Sequence, residues 1–160
     1  MKFFEDIEIG EGGEIGRFTF TAEDIKRFAA QFDPQPFHLD EDAAARSHFG
    51  ALVASGWHTA SVFIKLLVEH RKRGAAELAA RGAPIPEGGV SPGFRNLKWL
   101  KPVFAGDTLT YSEKMIRKRE LATRPEWGLV FTHNIAVNQR GDPVFEFEGS
   151  FFCNRRGAWA

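Results

Sequence analysis

The fold class that the sequence predicts is α+β, with a curved antiparallel sheet wrapped around one long buried helix. Three observations predict it. A single strand-like segment at 14–20 precedes a run of helical segments. One of those helices, beginning near Gly56, is apolar almost all round, as a helix enclosed by other structure must be. From Gly93 onward the pattern is β, with four strand segments in succession. Consecutive strands beside a segregated helix make an α+β domain.

The elements follow in order. Residues 1–13 are acidic and glycine-rich and read as an irregular arm. Thr21 is placed to cap a helix whose first turn holds Glu23 and Asp24, where the helix dipole favours acids. Ile25, Phe28, Ala29 and Phe32 form its apolar stripe. Asp40 is placed to cap a short turn over residues 41–46. In the central helix, Ala60, Val62, Phe63, Ile64, Leu66, Leu67 and Val68 precede the polar run Glu69-His70-Arg71-Lys72-Arg73, where it must emerge. Residues 74–89 carry Ala, Gly and Pro and read as a helical extension leading into a mobile loop. Strands are predicted at 94–100, 108–118, 127–138 and 143–153, with turn signals at Gly106-Asp107 and Arg140-Gly141-Asp142. Residues 154–160 are left as a tail.

Length and composition narrow the function classes. With 160 residues the chain fits one domain spanning 1–160, and a domain near that size buries roughly 70% of its unfolded surface. Twenty-one basic residues balance twenty-one acidic ones. Nonspecific nucleic-acid binding rests on a basic field, so no nucleic-acid partner is expected. No stretch approaches the ~20 apolar residues of a membrane span, so no membrane partner is expected either. The only cysteine is Cys153, which excludes a disulfide within the chain and any multi-thiolate metal site. With no secretory leader pattern at the start, a cytoplasmic location is expected. Sixteen Phe stand against one Tyr. Phe supplies bulk without a hydroxyl to satisfy, which suits a packed core first and an apolar binding groove second.

The segment Phe32-Asp33-Pro34-Gln35-Pro36-Phe37-His38-Leu39-Asp40 carries the most chemistry. Each proline fixes its own φ and bars the preceding residue from helical geometry. Asp33 and Gln35 therefore cannot lie inside a helix, and the stretch reads as a stiff, bent loop holding an acid and a base in fixed relation. General acid–base chemistry needs that presentation. The plain alternative is an Asx-turn at Asp33 and a histidine bonded to a backbone carbonyl. Downstream, Ser55-Gly56 stands at the start of the central helix. A helix N-terminus offers free N–H groups and a glycine permits close approach, so a carbonyl oxygen could be polarised there. Ser55 as an N-cap and Gly56 as a turn residue is the plain reading, and both can hold together. His58 reads as a packed or surface histidine. The five histidines form no metal-ligand spacing, so no metal is expected. Arg95 and Lys98 lie on an aromatic-laced strand that is either an ordinary half-exposed strand or a place for phosphates.

The run Asp33-Pro34-Gln35-Pro36-Phe37-His38 followed by Ala44 resembles the hydratase motif of the MaoC-like dehydratases, which include the (R)-specific enoyl-CoA hydratases. Phe49-Gly50, Ser55-Gly56, Lys101-Pro102-Val103 and Gly106-Asp107-Thr108-Leu109 extend the resemblance over roughly residues 5–153. The resemblance implies a hotdog fold. It implies that Asp33 and His38 activate one water that adds to a 2-enoyl thioester, giving a 3-hydroxyacyl thioester, or the reverse. It implies that the N–H near Gly56 polarises the thioester carbonyl, with Ser55 and Gln35 shaping the site. Gln35 stands where the family usually has Asn, and Phe32 where its fuller pattern often has Gly. The resemblance further implies a homodimer, an acyl-CoA or acyl-carrier thioester as substrate, no other cofactor, and a weaker role for Arg95 and Lys98 in holding CoA. Two other functions fit the same fold: a thioesterase, which needs a carboxylate that residues 56–68 lack, and a non-catalytic acyl-thioester binding protein.

Overall fold

In the computed structural model, which describes residues 1–156, five strands form a single antiparallel sheet and one long helix lies against it. The strands are β1 (Gly12–Thr19), β2 (Phe94–Trp99), β3 (Thr108–Glu120), β4 (Trp127–Val137) and β5 (Pro143–Asn154), in the spatial order β1-β3-β4-β5-β2. The helices are α1 (Ala22–Phe32), α2 (Pro36–Leu39), α3 (Glu41–Ala45) and α4 (Gly56–Ala80). The tail expected at 154–160 is partly strand, since β5 runs to Asn154; residues 157–160 lie outside the described residues.

Burial along the strands has the two-residue period of a sheet with one covered face. Leu109, Tyr111 and Glu113 of β3 and Thr132, Asn134 and Ala136 of β4 point inward. Val62, Phe63 and Leu66 of α4 pack in one cluster with Ile15, Tyr111, Ala136, Phe145 and Phe147. The only tyrosine in the chain pins helix to sheet: the Tyr111 hydroxyl, fully buried, donates to the Thr59 carbonyl at 3.1 Å. This curved antiparallel sheet with its central helix is the hotdog fold.

The caps expected of Thr21 and Asp40 are present. Thr21 accepts from the Asp24 N–H, and Asp40 from the Ala43 N–H at 2.7 Å. Four expectations need correction. The arm is not wholly irregular: Phe4–Asp6 is a turn of 3-10 helix, and Phe4 packs with Ile7, Val130 and Cys153. A Cβ at Gly128 would lie 2.1 Å from the Phe4 ring, so that packing depends on a residue far away in the chain. The stiff loop contains one helical turn, α2, with Pro36 at its first position, where a missing N–H costs nothing. Phe32 does not join the buried stripe of α1; it is 67% exposed and rests against Phe28. Helix α4 is buried on one face only, for Trp57, Ile64 and Val68 remain about half exposed. As expected, the helix extends beyond Gly74, to Ala80, and the segment after it is tied to β5 by Gly89 N–H to Phe152 carbonyl at 2.8 Å.

Candidate active site

Two helix ends and one extended segment meet at the opening of α4. Helix α1 ends at Asp33, whose N–H still bonds the Ala29 carbonyl while the next residue is proline. The turn that follows brings Gln35 to the N-cap of α2, and α2 carries His38 inward to 5% exposure. Val53 lies between them and the neighbouring Phe104, and its carbonyl faces the imidazole.

That contact fixes the histidine's tautomer. His38 Nδ1 is 2.7 Å from the Val53 carbonyl, which can only accept, so Nδ1 carries the proton. In the neutral ring Nε2 is then an acceptor, and it stands 3.4 Å from Asp33 Oδ2. The carboxylate is held at both oxygens. Ser55 Oγ donates to Oδ2 at 2.6 Å, and Gln35 Nε2 donates to Oδ1 at 2.8 Å. Burial pushes the Asp33 carboxyl up, but the bonds from Ser55 and Gln35 and the nearby His38 outweigh it, and the acid lies below the usual carboxylate range. The longer side chain of Gln35 therefore still reaches the carboxylate.

Ser55 serves two elements at once. Its hydroxyl donates to Asp33 and accepts the Trp57 N–H at 3.2 Å as the cap of α4. The capping role expected of Ser55 is thus present, and the same hydroxyl reaches Asp33. The carbonyl of Gly56 accepts from Trp99 Nε1 at 2.9 Å and from Thr59 Oγ1 at 2.6 Å. The N–H of Gly56 has no partner among the described residues. Gly56 must be glycine for a second reason: a Cβ there would lie 2.5 Å from the Trp99 indole.

A cavity of about 460 Å³ opens onto these groups. Asp33, Gln35, His38, Ser55 and Gly56 all line it. Its apolar wall includes Phe37, Phe49, Val103 and Trp99. Trp99 was not legible as a site residue, because nothing in the strand around position 99 points to position 56. Arg95 and Lys98 are elsewhere. They lie on β2 outside this cavity, paired with Glu148 at 2.8 Å and Glu146 at 3.0 Å. His58 is the packed histidine expected: it stacks on Phe28 at 4.6 Å and meets the edge of Phe20. Among the described residues no group of three or more His, Cys, Asp or Glu could hold a metal ion, and no helix is long and apolar enough to cross a membrane.

Residues 9–128 match the family model described as the MaoC like domain. The chain belongs to the MaoC-like family. The solved structure of a MaoC-like dehydratase from Rhodospirillum rubrum is similar to this MaoC-like chain at 35% identity, with a TM-score of 0.81 over 98% of this chain and 99% of that one. The uncharacterized protein YdeM of Bacillus subtilis is 28% identical over 94% of this chain and 98% of its own length. The (R)-specific enoyl-CoA hydratase of Rhodospirillum rubrum is 29% identical over 69% of this chain and 67% of its own. The residues that resemble the hydratase motif sit where α1, α2 and the start of α4 converge.

Proposed function

We propose that this MaoC-like protein is a hydratase/dehydratase of 2-enoyl thioesters, interconverting enoyl-CoA and (R)-3-hydroxyacyl-CoA. The observation that carries the reading is the pairing of two acceptors, Asp33 Oδ2 and His38 Nε2, 3.4 Å apart on the wall of one cavity. A single water can donate one hydrogen to each at ordinary distances of ~2.6–3.2 Å. Both of its protons are then engaged, and its oxygen lone pair is left for the β-carbon of the enoyl group. As the C–O bond forms, one water proton passes to the Asp33–His38 pair and is returned to the α-carbon. The net result is addition of H and OH across the double bond. Negative charge gathers meanwhile on the thioester oxygen, and the free N–H of Gly56 at the opening of α4 is its donor. Removing one such donor typically costs about 10²–10³-fold in rate.

Names among the relatives agree in reaction class: beside the hydratase above, a 3-hydroxybutyryl-CoA dehydratase of Methylorubrum extorquens is 31% identical over 67% of this chain. The working protein in this reading is a homodimer. The exposed apolar side chains Trp57, Ile64 and Val68 of α4 and Phe94 and Trp99 of the edge strand β2 are the surface a second copy covers.

Crotonyl-CoA tests the reaction. Wild-type protein is expected to consume the enoyl chromophore, and Asp33→Asn to lose that activity by several orders of magnitude while remaining folded. Equal rates in the two proteins would overturn the mechanism. Release of free CoA thiol in place of hydration would mark a thioesterase.

A further inference from the structure

A second cavity, of about 350 Å³, lies beside the C-terminal half of α4 and has no residue in common with the first. Its size falls in the ~300–1,000 Å³ range of small-molecule sites. Apolar side chains from four separate parts of the chain form its wall: Ile7, Pro86, Met115 and Phe151. Among the polar side chains that line it, Glu113 and Arg71 face each other without a hydrogen bond. Glu113 of β3 is only 9% exposed and its carboxyl makes no hydrogen bond to any described residue. Arg71 of α4 lies 3.7 Å away, too far for a hydrogen bond, with its guanidinium over the Phe151 ring at 4.6 Å. None of its five N–H donors has a partner among the described residues.

A buried carboxyl left unbonded beside an unbonded guanidinium is costly, and such arrangements concentrate at functional sites. Burial pushes the Glu113 carboxyl up, against the smaller opposing pull of Arg71. A neutral carboxyl supplies one O–H donor, and the guanidinium supplies a fork. Together they lack one thing, an acceptor with two oxygens. The lining carries Lys2, Arg71 and Arg73 beside Glu11, Glu77, Glu87 and Glu113, so the Arg71 fork and not net charge selects the ligand, and an ammonium or an alcohol would leave that fork empty.

We propose that this cavity binds a small aliphatic carboxylate, its carboxylate group between Arg71 and Glu113 and its alkyl chain against Ile7, Met115 and Phe151. The Arg71 fork donates to the ligand oxygens, and the Glu113 hydroxyl donates to the nearer of them. The site is separate from the Asp33–His38 cavity, so occupancy does not require an enoyl thioester.

Hexanoate titrated into the full chain tests this, by calorimetry and by backbone amide shifts. Saturable binding at one site per chain is expected, with shifts at Gly88, Met115 and Phe151 rather than at Gly56. Arg71→Met and the cavity-filling Met115→Trp should each weaken binding about tenfold or more. Glu113→Gln keeps a donor and should bind hexanoate at least as tightly as wild type, whereas Glu113→Leu removes the donor and should weaken binding about tenfold; equal binding by the two variants would overturn the donor role of Glu113. Hexylamine should bind more weakly than hexanoate. The proposal is overturned by absence of saturable hexanoate binding to the wild type. It is equally overturned by displacement of hexanoate by crotonyl-CoA, or by a Glu113→Gln protein of native melting temperature that has lost binding.

Discussion

The Ser55 hydroxyl joins two elements by one atom: it donates to Asp33 Oδ2 at 2.6 Å and accepts the Trp57 N–H at 3.2 Å. The acid at the end of α1 is thereby fastened to the first turn of α4, whose opening N–H belongs to Gly56. The carboxylate and the proposed oxyanion donor are thus positioned through a common residue. Their relative placement does not depend on two independently mobile loops.

Ser55→Ala removes both bonds. Loss of an N-cap costs about 1 kcal/mol of stability, which a denaturant melt should show. The larger effect is on Asp33. Without the Ser55 donor its carboxyl rises from its lowered position. An acid that must be ionised to accept a proton then fails at higher pH than before. The acid limb of the kcat/KM profile for crotonyl-CoA should shift upward in Ser55→Ala, and also, less strongly, in Gln35→Ala. An unchanged acid limb in both variants would separate Asp33 ionisation from the rate.

Gly56→Ala tests the helix opening. Its new Cβ would lie 2.5 Å from the Trp99 indole, well inside contact distance, so Trp99 or the peptide must move. Trp99 also donates to the Gly56 carbonyl at 2.9 Å, and that bond is lost if the ring swings out. We expect kcat to fall by about 10²-fold, the scale for disturbing one oxyanion donor. In a Trp99→Ala background the clash is gone, so the further loss on Gly56→Ala should be much smaller. Additive losses in the double variant would show that crowding by Trp99 is not the cause.

Much of this arrangement is legible in the sequence because it is local. Pro34 and Pro36 act on their immediate neighbours, Thr21 and Asp40 cap within three residues, and the strands alternate along their own length. The Asp33–His38 relation lies within six residues and survives folding intact. The parts that sequence reading misses depend on distant partners. Phe4 is buried because Gly128 leaves room for it, and Trp99 joins the site because β2 passes the start of α4. The ion pairs of Arg95 and Lys98 are illegible for a related reason. Their partners, Glu148 and Glu146, come from β5 about fifty residues away, and antiparallel register, invisible along one strand, brings them opposite.

His58 makes stability depend on pH. Its ring is enclosed by Phe18, Phe20 and Phe28, its Nδ1 is buried without a partner, and burial brings its pKa down to about 4, with Asp24 pulling the other way and Arg27 reinforcing the shift. An unfolded histidine titrates near 6.5. Between those values the unfolded chain holds a proton that the folded chain does not, so stability falls as pH drops from about 6.5 towards 4. The full loss is on the order of 3 kcal/mol. His58→Phe cannot take up the proton, and its melting temperature should decline less over that range. Identical slopes for the two proteins would remove His58 as the source.

Ile64→Glu addresses the second copy. Ile64 is 54% exposed on the face of α4 that the sheet does not cover, one and two turns from Val68 and Trp57 on the same stripe. In an isolated chain a carboxylate there meets water and costs little, since exposed substitutions usually change stability by less than about 0.5 kcal/mol. In a dimer that covers the stripe it would bury a charge without a partner, which is far more expensive. Light scattering coupled to gel filtration should therefore find a dimer for wild type and a folded monomer for Ile64→Glu. The edge strand β2 gives an independent control. Phe94 is 61% exposed there and Trp99 borders the candidate active site, so a dimer that covers β2 also shields one wall of that cavity. Monomeric Ile64→Glu should then lose crotonyl-CoA turnover mainly through a raised KM. A monomeric wild type with full activity would refute the dimer and its part in the site together.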